Sequence, residues 1–192
     1  MSNTRIAAAT AVALILSMAH ASAQTSTFDA NTQGWTVAGD VAGPVTWFPS
    51  GGNPGGYVSA VDSVFGGVMF FIAPSTYLGN KSSAYGTALT FDLIQNFTGS
   101  PNPFADNDVL LKGNGLTLAY DLANDPGNGV WTSYSVSLTP GSWHINTIGG
   151  ALATQQDLQT VLSNLTALQI RAEYRTGDDT DGLDNVRLTT AV

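Results

Sequence analysis

Any acid–base chemistry in this chain would fall to very few side chains. Glu173 is its single glutamate, and His144 is the only histidine beyond residue 20. A glycosidase needs two carboxyl groups roughly 5–10 Å apart, one of them with a raised pKa. Arg171 and Arg175 lie two residues to either side of Glu173. On a strand they share its face, so the sequence predicts a surface ion pair that keeps the carboxylate ionised. An Asp pair could still do acid chemistry, but no spacing singles one out. His144 would need a nucleophile beside it, and the chain has no Gly-x-Ser-x-Gly elbow. Hydrolytic zinc ordinarily takes two or three histidines, and the absence of cysteine rules out a thiolate site or a disulfide. The chain therefore reads as a non-enzyme, with a carbohydrate-active enzyme using an Asp pair as the alternative.

A second group is acidic. Residues 178–184 gather Asp178, Asp179, Asp181 and Asp184 around Gly182, the kind of oxygen-rich segment a hard cation such as calcium prefers. It is no EF-hand, because with Gly182 in the sixth position the first and twelfth would be Gly177 and Leu188. Asp and Gly are equally the material of a solvated turn. A third group is aromatic. Trp47, Tyr57 and Trp131 adjoin Gly-, Pro- and Asn-rich stretches and are the candidates for ligand contact, for example stacking on a sugar ring, whereas Trp35 and Trp143 are assigned to the core.

The elements that must position these groups repeat with period two. Leu89, Phe91 and Leu93 alternate with Thr90 and Asp92; Leu116, Leu118, Tyr120 and Leu122 alternate with Thr117, Ala119 and Asp121; Tyr134, Val136 and Leu138 alternate with Ser133, Ser135 and Ser137. Each pattern suits a strand with one buried and one wet face. Residues 49–56, rich in Gly and Pro, read as a loop. Only Leu158, Val161, Leu162 and Leu165 recur at helical spacing. With Thr154 as N-cap and Asp157 three residues on, they predict one helix from Gln155 to about Asn164. Strands are expected at residues 167–174 and 183–189. Short apolar runs separated by Gly, Pro, Asn and Asp make this an all-β sandwich.

Residues 1–23 have the form of a cleavable signal peptide: Arg5, an apolar run from Ile6 to Met18 too short to cross a bilayer, and Ala21-Ser22-Ala23 at its end. The expected location is secreted or periplasmic, with residues 24–192 as a single domain and no membrane span. Six Lys plus Arg against 14 Asp plus Glu give a net charge of −8, which becomes −9 on losing Arg5. Such a field repels nucleic acid and anionic membranes.

Three stretches carry a resemblance to a known family. Pro74 followed by Tyr77-Leu78-Gly79-Asn80 and Ser83-Ala84-Tyr85-Gly86 is the first. Asp108-Val109-Leu110-Leu111-Lys112-Gly113-Asn114-Gly115 with Leu118 is the second, and Trp143 with residues 157–172 is the third. In order and spacing they resemble the laminin B domain, or laminin domain IV. The resemblance implies a jelly-roll β-sandwich shaped like carbohydrate-binding modules, with a structural, extracellular, non-catalytic role. The chain ends, residues 28–35 and 182–188, are similar to the opening and closing strands of secreted jelly-roll modules. In modules of that shape a structural calcium ion commonly joins an acidic residue of the first strand to an Asp of the last. The matching positions are Asp29 and Asp184, with Asp40 or Asp62 as subsidiary candidates. The expectation is a secreted binding or matrix module with one short α-helix, calcium-stabilised, whose partner is a glycan or an extracellular-matrix or surface protein. A purely structural surface protein is the further alternative.

Overall fold

The computed structural model describes residues 22–62 and 67–191. The predicted leader lies outside the described residues except for Ser22 and Ala23, which pair with Thr190 and Thr189. The described strands are β1 (Ser22–Ser26), β2 (Thr36–Gly39), β3 (Thr46–Gly52), β4 (Gly55–Val61), β5 (Met69–Ile72), β6 (Ala88–Asn96), β7 (Val109–Gly113), β8 (Leu116–Tyr120), β9 (Thr132–Ser137), β10 (Trp143–Ile145), β11 (Leu165–Arg171) and β12 (Thr180–Thr190), with one helix, α1 (Gln155–Ser163). The first sheet is ordered β3-β4-β12-β6-β9, with β1 also on β12, and the second β10-β8-β7-β11-β5-β2. β12 pairs with β4 through Leu183 and with β1 from Val186, so the beginning and end of the described chain share one ladder.

The alternation places the predicted apolar faces inside, although Asp92 and Ala119, expected on wet faces, are buried as well. Leu89, Phe91 and Leu93 of β6, Leu118 of β8, Val136 of β9 and Leu168 and Ile170 of β11 are all buried between the sheets. Trp35 and Trp143 join that core, and each satisfies its indole N–H: Trp35 donates to Ser26 Oγ at 3.0 Å and Trp143 to the Ser137 carbonyl at 2.8 Å. The Tyr77 hydroxyl, buried as well, donates to the Val186 carbonyl at 3.0 Å. Leu158, Val161 and Leu162 of α1 are buried, and the helix opens with the expected capping box of Thr154 and Asp157. Gly113 is required where β7 meets α1, because a Cβ there would stand 2.5 Å from the Val161 carbonyl oxygen. Asn114 and Gly115, at φ 48° and 77°, then make the tight reversal into β8.

Three expectations are corrected. Residues 49–56 form a hairpin instead of a loop: β3 and β4 pair Trp47 with Val58 and Phe48 with Tyr57, and turn at residues 52–55. The acidic run is a turn only as far as Asp179, since Thr180 already pairs with Val61 on one side and Asn96 on the other. β11 stops at Arg171, so Glu173 lies past the end of its strand. No helix among the described residues is long and apolar enough to cross a membrane.

Candidate functional site

On β4, Val58 and Ala60 face the core, which sends Tyr57, Ser59 and Val61 to the outer face of the first sheet. Phe48, the cross-strand partner of Tyr57, stacks on it with ring centroids 5.0 Å apart and planes 15° from parallel. Trp131 meets the other side of Tyr57 edge-on at 5.4 Å and donates its indole N–H to the Gly51 carbonyl at 2.9 Å. The group lies over Gly182 of β12, where a Cβ would come within 3.1 Å of both the Tyr57 and Trp131 rings. The structure thus brings Tyr57 and Trp131 together. Trp47 turns the other way, donates to the Phe28 carbonyl at 2.6 Å and packs against the core. Its neighbour Phe48, 40% exposed, takes the outward position. The signal for Phe48 was its alternation with Trp47, hidden once the Gly- and Pro-rich segment was read as a loop. From Phe48 a groove of about 330 Å³ runs past Pro44, Ser59 and Val61 to Thr180, adjoining a cleft of about 490 Å³ that reaches Asp62 and Asp179.

Beside the turn at residues 52–55, Asp92 and Asp184 are register partners on β6 and β12. Both oxygens of Asp184 accept main-chain N–H groups, from Asn53 at 2.6 Å and Asn185 at 2.7 Å. Asp92 Oδ2 accepts the side-chain amides of Asn53 and Asn185 at 3.1 and 2.8 Å. Burial raises the Asp184 carboxyl to about 6, with the two main-chain amides opposing. Asp29, exposed, accepts the Thr27 hydroxyl at 2.6 Å, and its other oxygen faces Gly55, while Asp184 faces Gly52. Asp29 and Asp184 therefore approach the same turn from two sides.

At the far end of β4 the carboxylates are differently placed. Glu173 is fully buried instead of lying in a surface ion pair. Its carboxyl is pushed up to about 8, first by burial and then by Asp62, Asp179 and Asp40. The flanking arginines are engaged elsewhere. Arg171 pairs with Asp108 at 3.1 Å and lies over the Phe104 and Tyr174 rings; Arg175 donates to the Asp178 and Ser100 carbonyls. Among the described residues, the acidic group whose oxygens converge within 4.8 Å is Asp40, Asp62 and Glu173. His144 of β10, half buried, places its Nδ1 2.9 Å from the Gly150 carbonyl oxygen.

Two antiparallel sheets packed face to face, with aromatic rings on the outer surface of one, define a jelly-roll β-sandwich module. The chain belongs to the Laminin B (Domain IV) family, whose model matches residues 70–192. It is 33% identical over 176 residues to Laminin subunit gamma-1 of Danio rerio, an alignment covering 87% of this chain and 10% of that protein. The chain thus spans about a tenth of the length of that relative. Among solved structures it is similar to the L4b domain of human laminin alpha-2, with a TM-score of 0.67, 13% identity, and 88% and 98% of the two chains covered. It is also similar to a Family 11 carbohydrate-binding module from Clostridium thermocellum in complex with a β-1,3-1,4-mixed-linked tetrasaccharide, with a TM-score of 0.54, 15% identity, and 88% and 96% covered. The family read from the Tyr77 to Asn80 and Asp108 to Gly115 motifs, and the sandwich it implied, are both borne out.

Proposed function

We propose that the chain is a secreted, non-catalytic binding module of extracellular matrix type, and that its ligand face is the outer surface of the first sheet, where Phe48, Tyr57 and Trp131 take a carbohydrate chain. The observation that carries this reading is the aromatic group seated on Gly182, continuous with the groove along β4. Ring faces with neighbouring amides suit sugar recognition, and the family supports a matrix setting. The Asp92 and Asp184 pair is held by four amide donors, an arrangement that fixes acceptors in place and leaves little freedom to shuttle protons. This favours binding over an Asp-pair hydrolase. A structural calcium ion at Asp29 and Asp184 accompanies the reading, supported by the approach of both to the turn at residues 52–55. It would tie the segment after β1 to β12.

Titration calorimetry against soluble, uncharged mixed-linked β-glucan oligosaccharides tests the ligand face. Trp131→Ala and Tyr57→Ala are each expected to weaken binding at least tenfold, about 1.4 kcal/mol, with the thermal unfolding of each variant recorded alongside. Lys112→Ala, on the second sheet, should bind as the wild type does. No glycan binding in any arm, or equal binding by all variants, sinks the assignment.

A further inference from the structure

Five carboxylates meet at the end of the sandwich where β2, β4 and β11 leave their ladders and β12 begins. They belong to Asp40, Asp62, Glu173, Asp179 and Asp181. Acidic residues on a surface need no explanation, but Asp62, Glu173, Asp179 and Asp181 are buried and Asp40 is half buried. Glu173 is 0% exposed and neither of its oxygens has a hydrogen-bond partner, yet it is directed at Asp40 and Asp62, with one oxygen of each of the three within 4.8 Å of the others. Asp179 and Asp181, also buried, share a hydrogen bond with each other and accept none from an amide or a hydroxyl. The nearby cations are committed: Arg171 to Asp108 and the Phe104 carbonyl, Arg175 to main-chain carbonyls. A carboxylate as buried as Glu173, with no donor to either oxygen, is strongly unfavourable unless something compensates it.

We infer that Asp40, Asp62 and Glu173 bind a divalent, oxygen-preferring cation of the calcium type, with Asp179 and Asp181 adding negative charge around it. Calcium holds oxygens at 2.3–2.6 Å, so two ligands of one ion stand at most about 5 Å apart, and the observed convergence falls within that reach. Access is provided by the cleft of about 490 Å³ lined by Asp62, Asp178 and Asp179. The chain at Gly67 is pressed against Asp40, since a Cβ there would come within 2.1 Å of Asp40 Oδ2, and this holds the first ligand toward the others. The ion would join β2 and β11 of one sheet to β4 of the other. It shares no ligand with the chain-end site at Asp29 and Asp184, and neither site depends on the other.

The test uses the full chain: calcium chloride titrated calorimetrically into chelator-stripped protein, and thermal unfolding in calcium or in chelator, for wild type, Glu173→Gln, Asp62→Asn and Asp184→Asn. Glu173→Gln and Asp62→Asn should each weaken by at least tenfold a binding event that Asp184→Asn keeps. Calcium at about 100 times the Kd of this site should raise the wild-type Tm by roughly 5–10 °C through it, an increment that Glu173→Gln loses and Asp184→Asn keeps. In chelator the order should reverse, with Glu173→Gln melting above wild type because the cost of burying that carboxyl among the others is gone. A merely structural glutamate would lower Tm in both buffers by the same amount, and that result overturns the inference. So does a wild-type chain that gives no heat and superimposable melting curves. Loss of the calcium response in Asp184→Asn alone, with Glu173→Gln and Asp62→Asn unaffected, removes this site and leaves the chain-end one.

Discussion

The two ends of β4 treat buried carboxylates in opposite ways. At the turn of residues 52–55, Asp184 and Asp92 receive four amide hydrogen bonds between them. At the Asp62 end, Glu173, Asp179 and Asp181 are equally buried and receive none. A buried carboxylate held by the chain's own amides belongs to the built scaffold even where, as at Asp184 with one amide on each oxygen, lone pairs remain for the ion proposed there. One that receives no amide depends on compensation from elsewhere. The contrast separates carboxylates that the fold orients by itself from those it leaves without such donors, and substitution can break it at several points.

The largest effect is expected where a carboxylate already has its own cation. Asp108 and Arg171 are 3.1 Å apart with both side chains buried, and Asp108 also accepts the Leu122 N–H at 2.6 Å. Arg171→Met keeps much of the bulk between the Phe104 and Tyr174 rings but strands the acid, so urea unfolding should show a loss of about 3–5 kcal/mol. A loss under about 1 kcal/mol would mean that the acid finds other compensation, and the three-way sorting of carboxylates would fail. Next in size is Asp184→Ala, measured in chelator. It leaves the Asn53 and Asn185 N–H groups without their acceptor, a cost of about 2–4 kcal/mol. Asp181→Asn in the same buffer should move the other way and raise stability, because burial first, and then Asp179, Glu173 and Asp62, holds that carboxyl well above the usual range. If both variants destabilise alike, the two ends of β4 are not different in kind.

Much of the scaffold was legible in the chain because its signals are local. The period-two runs of β6, β8 and β9 and the Thr154–Asp157 cap depend on residues a few positions apart. What escaped depends on distant pairing. Asp181 looks like a turn residue, yet it lies on a strand flanked by β4 and β6, whose partners are more than 85 positions away. Glu173 reads as a strand residue beside two arginines, but the ladder ends at Arg171 and the next four residues, through Arg175, are all buried. Once alternation stops, spacing no longer tells which side chains share a face. The aromatic face was half visible: Tyr57 and Trp131 converge, while the choice between Trp47 and Phe48 rests on a one-residue register set by β4.

Asp157 supplies the smallest test, as the exposed counterpart of Asp184. It accepts the Thr154 hydroxyl at 2.7 Å and the Thr154 N–H at 2.8 Å, and the hydroxyl in turn accepts the Asp157 N–H at 3.2 Å. Hydrogen bonds from the Thr154 side chain, and then from its main chain, hold the carboxyl below its usual value of 3.8. A carboxyl depressed in the folded state adds stability above its unfolded pKa and loses it as the pH falls through the folded value. Loss of the Thr154 N-cap in Thr154→Ala should cost about 1 kcal/mol at neutral pH by urea unfolding. The gap from wild type should narrow as the pH is lowered below the carboxylate range. A gap that stays constant with pH would assign the whole effect to the neutral bond from the Asp157 N–H to the Thr154 hydroxyl. In that case an exposed carboxylate with donors contributes nothing measurable, and only burial gives such donors their weight at Asp184.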